Sequence, residues 1–167
     1  LLHQTINGNE AILQMEQAGD YPDIIVGCTG GGSNLAGLMF PFLGQQLRGG
    51  QKIDIIGCEP LSCPSFTKGK YAYDHGDMAR MTPLIKMHTL GSDFLPPANH
   101  SGGLRYHGMS YHLSHLYDLG LMRAKAYGQK DCFEAGVFFG KQEGISPAPE
   151  GNHAVKGAID AALECKE

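Results

Sequence analysis

The sequence predicts an α/β fold, a Rossmann-like sandwich around a parallel sheet with one long irregular insertion. Three observations support this. Asp23–Cys28 and Lys52–Glu59 are short apolar runs rich in isoleucine, the pattern of strands buried on both faces. Asn34–Leu47 between them reads as a helix, and a strand, a helix and a strand in succession form a right-handed crossover between parallel neighbours. Residues 60–110 then lose all long periodicity, broken by Pro60, Pro64, Pro83, Pro96 and Pro97 and by repeated glycines. A stretch of that kind inside a domain is usually functional or packs as an insertion.

Each element follows from its local pattern. Residues 10–18 place Ala11, Met15 and Ala18 on one helical face, with Asn9 as the cap and Gly19 and Pro22 as the stop. Pro41 is expected to kink the helix over 34–47, and Gly49-Gly50 to end it. Within the insertion, Thr82–Leu90 reads as a short helical piece. Tyr111–Leu119 reads as a helix, and the alternating Leu121–Tyr127 as a strand. Asp131–Glu143 is a helix with Phe133, Val137 and Phe138 on one side, and Gly144–Pro149 a turn or short strand. Asn152–Cys165 is the last helix, with Ala154, Val155, Ala158, Ile159 and Ala162 as its inward stripe.

Composition narrows the function classes. A chain of 167 residues is enough for one domain, and buries roughly 70% of its unfolded surface. Hydrophobic residues make up 42% and charged residues 18%, an ordinary globular balance. A net charge of −4 argues against a protein that neutralises a nucleic-acid backbone. No run approaches the roughly 18 apolar residues of a membrane span; Leu35–Leu43 is too short and contains Pro41. The five cysteines contain no CxxC pair, which argues for reduced thiols in a cytoplasmic protein and against a disulfide framework. The chain opens Leu1-Leu2-His3-Gln4 and reads as a single partial domain, a piece of something longer.

The chemistry concentrates at Gly30-Gly31-Gly32-Ser33-Asn34, where the first strand passes into a helix. Unpaired N–H groups and the helix dipole make such a junction an anion site, and glycines let main chain approach a phosphate closely. No lysine or arginine sits in the loop, which favours one phosphate monoester over a triphosphate. The P-loop pattern fails because Ser33 follows Gly32 where lysine belongs. The dinucleotide pattern fails because Leu35 replaces its third glycine. Glu59, at the end of the second strand, still stands where a ribose-binding acid would be. A tight turn with no ligand is the plain alternative.

The loop resembles the phosphate-binding loop of the tryptophan synthase beta chain family, pyridoxal 5′-phosphate enzymes of fold type II. The likeness extends to His3-Gln4-Thr5-Ile6-Asn7-Gly8, Cys63-Pro64-Ser65, Thr67–Tyr71 and Thr82–Met87. It continues through Gly102-Gly103-Leu104-Arg105-Tyr106-His107-Gly108, Glu143-Gly144-Ile145 and Pro147–Glu150, similar to the divergent second branch of that family. The resemblance implies the C-terminal domain of such an enzyme, and a β-replacement that joins L-serine and indole to give L-tryptophan and water. It implies that Gly30, Gly31, Gly32, Ser33 and Asn34 hold the cofactor phosphate and that Glu150 lies beside the cofactor ring. Asp93 would meet the serine substrate, and carbonyls near Gly30 and Phe94 would join a monovalent cation site. A homodimer and an alpha-subunit partner are implied for the whole protein. The family's Schiff-base lysine has no counterpart among the lysines here, so this chain is expected to be inactive alone. Gly151 and Asn152 depart from the family's small hydroxyl residues, which puts the start of the last helix and the placement of Glu150 in question.

Other readings are kept beside this one. A serine or threonine dehydratase or a cysteine synthase shares a glycine loop but not the Gly102–Gly108 segment. A non-catalytic nucleotide-binding module would use Glu59, and a scaffold has only the proline-rich insertion in its favour. His107, His112 and His115 are spaced as metal ligands but lack a completing carboxylate or cysteine, so ordinary imidazoles are the simpler reading. Asp74-His75-Gly76-Asp77 resembles half a calcium loop and reads as a turn. Tyr71, Tyr73, Tyr106 and Tyr111 read as packing residues, and Arg105 as a hydrogen-bonding anchor of its loop.

Overall fold

A computed structural model describes residues 1–166. Strands β1 (Ile24–Cys28), β2 (Asp54–Pro60) and β5 (Arg123–Tyr127) form a sheet in the order β1-β2-β5. Both pairings are parallel, with Ile25 opposite Ile55 and Gly57 opposite Ala124. Helix α2 (Ser33–Leu47) makes the crossover from β1 to β2. Alternation along the strands then sorts side chains between two cores. Ile25 and Ile55 join Leu35, Met39, Phe42 and Leu113 on one face. Val26, Ile56 and Cys58 join Tyr127, Cys132 and Ala161 on the other, under α4 (Gln129–Glu143) and α5 (Gly151–Glu164).

Helix α1 (Thr5–Ala18) begins before the predicted Glu10, so Asn9 lies inside it and is not a cap. It crosses α2 in close contact. A Cβ on Gly8 would fall 2.4 Å from Leu38 O, and one on Gly37 2.4 Å from Gln4 O. These glycines, inside helices where they lower intrinsic stability, allow two backbones to touch. Pro41 is tolerated within α2, which continues to Leu47.

The insertion is more regular than predicted. Thr82–Leu90 is not helical: β4 (Leu84–Thr89) pairs antiparallel with β3 (Lys70–His75). Cross-strand pairing supplies the backbone bonds that local pattern did not reveal. The hairpin end is closed by Asp77, which accepts hydrogen bonds from Met81 N, Thr82 N and Thr82 Oγ1. That turn accounts for the calcium-like residues. These bonds hold the Asp77 carboxyl below its usual range, at about 2. Helix α3 (Tyr111–Asp118) packs against β4, and Ser114 Oγ accepts the His88 N–H at 2.9 Å.

The last two helices correct the sequence reading of which side faces in. Gly157 and Ala161 of α5 are buried, and a Cβ on Gly157 would meet Cys58 Sγ at 2.3 Å. Ala154, Val155, Ala158, Ile159 and Ala162 instead line an open apolar groove with Val26 and Phe139. In α4 the buried face is Cys132, Ala135 and Gly136, while Val137 and Phe138 are exposed. Gly157 allows α5 to lie close against Cys58 of β2, and Gly136 allows α4 to lie close against Asn152 of α5, which leaves Val155, Ile159, Val137 and Phe138 off these contacts. Among the described residues, no helix is long and apolar enough to cross a membrane.

Candidate phosphate-binding site

Strand β1 ends at Cys28, and Thr29 N–H still donates to Cys58 O at 2.8 Å. The chain then leaves the sheet at its carboxyl edge, where ligands of open parallel sheets bind. Gly30–Gly32 make the turn, with Gly32 at φ +88°. That left-handed geometry suits glycine, and it directs the next residues into α2. The first intrahelical bond runs from Ala36 N–H to Gly32 O, with no side chain capping the helix start. The N–H groups of Ser33 and Asn34 therefore precede the helix ladder and are free of it.

A hollow of about 330 Å³ opens in front of this junction. Cys28 and residues 30–34 form its floor; Gly103, Leu104 and Tyr106 form the opposite wall, and Glu150 the end. The two sides touch. A Cβ on Gly30 would fall 2.6 Å from Gly103 O and 2.8 Å from Leu104 Cα, both main chain. Ser110 N–H donates to Gly31 O at 3.0 Å and straps the far loop to the glycines. Glu150 Oε1 accepts the Gly103 N–H at 2.9 Å, which ties the start of α5 across the hollow. Despite Gly151 and Asn152, that helix starts in order, with Asn152 N–H on Ala148 O at 3.0 Å and His153 N–H on Glu150 O at 3.2 Å.

A small anion in this hollow would be held by main-chain donors and not by side-chain charge. Among the lining residues there is no lysine or arginine, and Glu150 is the sole carboxylate. Burial, with Glu150 adding to it, pushes the Cys28 thiol up, so it faces the hollow as a neutral thiol. A larger concavity of about 530 Å³ lies on the outer face of α4. Its walls are Phe133, Val137 and Phe138 with a rim of charged side chains, and it lacks converging main-chain donors. Backbone N–H groups at a helix start bind anions more selectively than such a face, which points to the smaller hollow.

The structure thus brings together Gly30, Gly31, Gly32, Ser33, Asn34 and Glu150. It does not bring Asp93, which is exposed on the turn where Phe94 N–H donates to Gly91 O at 2.9 Å. Glu59 is overturned as a ribose acid. It is fully buried and accepts from Phe66 N at 2.9 Å, Thr67 N at 2.8 Å and Thr67 Oγ1 at 2.7 Å. Burial raises its carboxyl above the usual range against the pull of those bonds. The histidines also part company. His107 Nε2 bonds His75 O at 2.9 Å, whereas His112 packs on Tyr111 and Phe40. Among the described residues no group of three or more His, Cys, Asp or Glu side chains is placed to hold a metal. Tyr106 and Gly103, which sequence reasoning left as packing or loop residues, line the hollow; the only signal was the cluster Gly102–Gly108.

The tryptophan synthase beta chain 2 of Aquifex aeolicus (strain VF5) is 56% identical over all of this chain, which covers 39% of that protein. Its counterpart in Methanosarcina mazei is 53% identical, again over the whole chain, which covers 38% of it. The tryptophan synthase beta chain of Thermosipho africanus (strain TCF52B) is 53% identical, with 40% of its length covered. The chain therefore spans about two fifths of these relatives. Among solved structures, a T.th. threonine deaminase superimposes with a TM-score of 0.69 at 15% identity, over 96% of this chain and 50% of that one. That likeness concerns the fold. Residues 4–167 match the family described as pyridoxal-phosphate dependent enzyme, and the chain belongs to it.

Proposed function

We propose that this chain is the phosphate-binding part of a tryptophan synthase beta-type lyase, which joins L-serine and indole to give L-tryptophan and water. The observation that carries the reading is identity above one half along the entire chain to proteins of that name. The residues present fit pyridoxal phosphate. The hollow depends on glycine, since a Cβ at Gly30 would press on Gly103 O and Leu104 Cα and force its walls apart, and its donors are main-chain N–H groups suited to one phosphate.

When bound, the cofactor supplies an electron sink for a carbanion at the amino-acid Cα. The chain's own residues bind and orient. Gly30–Gly32 and the N–H groups of Ser33 and Asn34 hold the phosphate at the positive end of α2. Glu150 stands at the far end, fixed in direction by the Gly103 N–H. The strapped loop from Gly103 to Ser110 closes one side and limits the access of water to the reacting atoms. Asp93, outside the hollow, is proposed to meet the serine, and carbonyls near Gly30 and Phe94 to hold a monovalent cation. No lysine is among the residues lining the hollow, so the Schiff-base lysine is proposed to come from the part of the relatives that this chain does not span. The chain is then one partial unit of a cytoplasmic enzyme that works as a homodimer and pairs with an alpha-type subunit.

Incubated with pyridoxal phosphate, serine and indole, this chain alone should make no tryptophan. Reassembly with the complementary part of a tryptophan synthase beta chain should restore turnover and the yellow Schiff-base band. Tryptophan formation by the chain alone refutes the division of labour, and a colourless, inactive reassembly refutes the activity.

A further inference from the structure

Tyr106 is 51% exposed, yet its ring is held against the glycine loop. Its Cδ2 lies 2.9 Å from the position of a Gly30 Cβ, and its Cδ1 and Cε1 each 3.9 Å from that of a Gly31 Cβ. The main chain around it is anchored by its neighbours. Arg105 Nη2 donates to Pro96 O at 2.7 Å and Arg105 Nε to Pro97 O at 3.2 Å. Gly103 N–H is held by Glu150, and Ser110 N–H by Gly31 O. A half-exposed aromatic ring on an anchored loop, lining a hollow, is more surface than packing alone requires.

Its position decides what it meets. A phosphate seated on the N–H groups of Ser33 and Asn34 would share the hollow with Tyr106 and Glu150, which line it beside them, and any substituent it carries inside the hollow comes near these two side chains. A flat ring there finds an aromatic wall. A second phosphate there finds the Glu150 carboxylate and no lysine or arginine among the lining residues.

We propose that Tyr106 is the specificity-determining residue of this hollow: its ring bears on the group esterified to the bound phosphate, and selects flat aromatic phosphomonoesters over nucleotides and over bare phosphate. This rests on the site reading above and assigns Tyr106 a contact with the ligand.

The test is binding, read by equilibrium dialysis on the chain itself. The probes are pyridoxine 5′-phosphate, which forms no Schiff base with surface lysines, inorganic phosphate and ADP. The chain should prefer the pyridoxine ester to both other probes. Tyr106→Ala should weaken that ester roughly tenfold, the scale of one lost aromatic stack, and leave inorganic phosphate within about twofold. Tyr106→Phe should bind like the parent, because the ring and not the hydroxyl is at work. Tyr106→Leu keeps apolar bulk on the loop and should lose the ester as Tyr106→Ala does; urea midpoints check that each variant is folded. An unchanged ester affinity in Tyr106→Ala, or equal losses of ester and inorganic phosphate in the Ala and Leu variants, overturns the proposal and leaves the site reading standing. Failure of the parent chain to bind any of these phosphates overturns the site reading and the proposal together.

Discussion

Alanine at each of the three loop glycines should separate the structural demands on this loop from the functional one. At Gly30 the new methyl would sit 2.6 Å from Gly103 O and 2.8 Å from Leu104 Cα. Both are main chain and cannot rotate away, so the two walls must part. Overpacking of this kind costs roughly 1–3 kcal/mol. At Gly32 the methyl would meet Leu113 Cδ1 at 2.4 Å and Met109 Sδ at 2.6 Å, and the residue holds φ +88°. A side chain in left-handed geometry adds about 1–2 kcal/mol to that crowding. At Gly31 the nearest atoms are Tyr106 Cδ1 and Cε1, each 3.9 Å away, an ordinary contact at the edge of the hollow. Gly31→Ala should therefore change stability by no more than about 0.5 kcal/mol. It should still weaken phosphate binding, since its methyl occupies ligand space. Urea unfolding supplies the stabilities, and each kcal/mol should appear as a shift of about 2–4 °C in Tm for a chain of this size. If Gly31→Ala is as destabilising as Gly30→Ala, the contact between residues 30 and 103 is not what fixes the loop. If Gly31→Ala binds phosphate as the parent does, the hollow is not where the anion sits.

Two further outcomes follow from buried polar groups. His88 is buried among Tyr71, Phe66 and Tyr117 with neither ring nitrogen hydrogen-bonded, and burial holds its pKa below the ordinary 6.5, with Asp118 opposing weakly. A depressed histidine favours the folded state fully above pH 6.5 and loses that contribution as pH falls from 6.5 through the folded value; urea midpoints against pH should show this decline, and an undiminished decline in His88→Phe would assign it to another group. Glu59→Gln keeps one acceptor oxygen and turns an amide N–H₂ on either the Phe66 N–H or the Thr67 N–H, which are accepted by different carboxylate oxygens, and should cost about 1–3 kcal/mol in chemical unfolding; a neutral result would mean that the displaced donor finds another acceptor.

The βαβ unit was legible because it is locally specified. Isoleucine-rich runs, a helix between them and glycines at the junction each carry their own signal. The hairpin of β3 and β4 was not, because Leu84–Thr89 is strand only by virtue of Lys70–His75 beside it. Helical periodicity located α5 but not its buried side. Both an apolar stripe and a stripe of small residues run along that helix, and close approach to Cys58 favours the small one. At the site, the floor from Gly30 to Asn34 and the end at Glu150 were readable from motif. The wall was not, since nothing local tells that Tyr106 crosses to Gly30. Glu59 misled for a related reason. A strand-end acid looks the same in sequence whether it faces a ribose or is consumed by the backbone of the next turn.

The strap from Ser110 to Gly31 and the tie from Glu150 to Gly103 also bear on how the molecule is born. The glycine turn is completed by groups far along the chain from it, Ser110 on its opposite bank and Glu150 at its end. Contacts so distant along the chain close late, after nearer ones have formed. The hollow should therefore be among the last features to form as the chain folds, after the nearer contacts of the βαβ unit are in place.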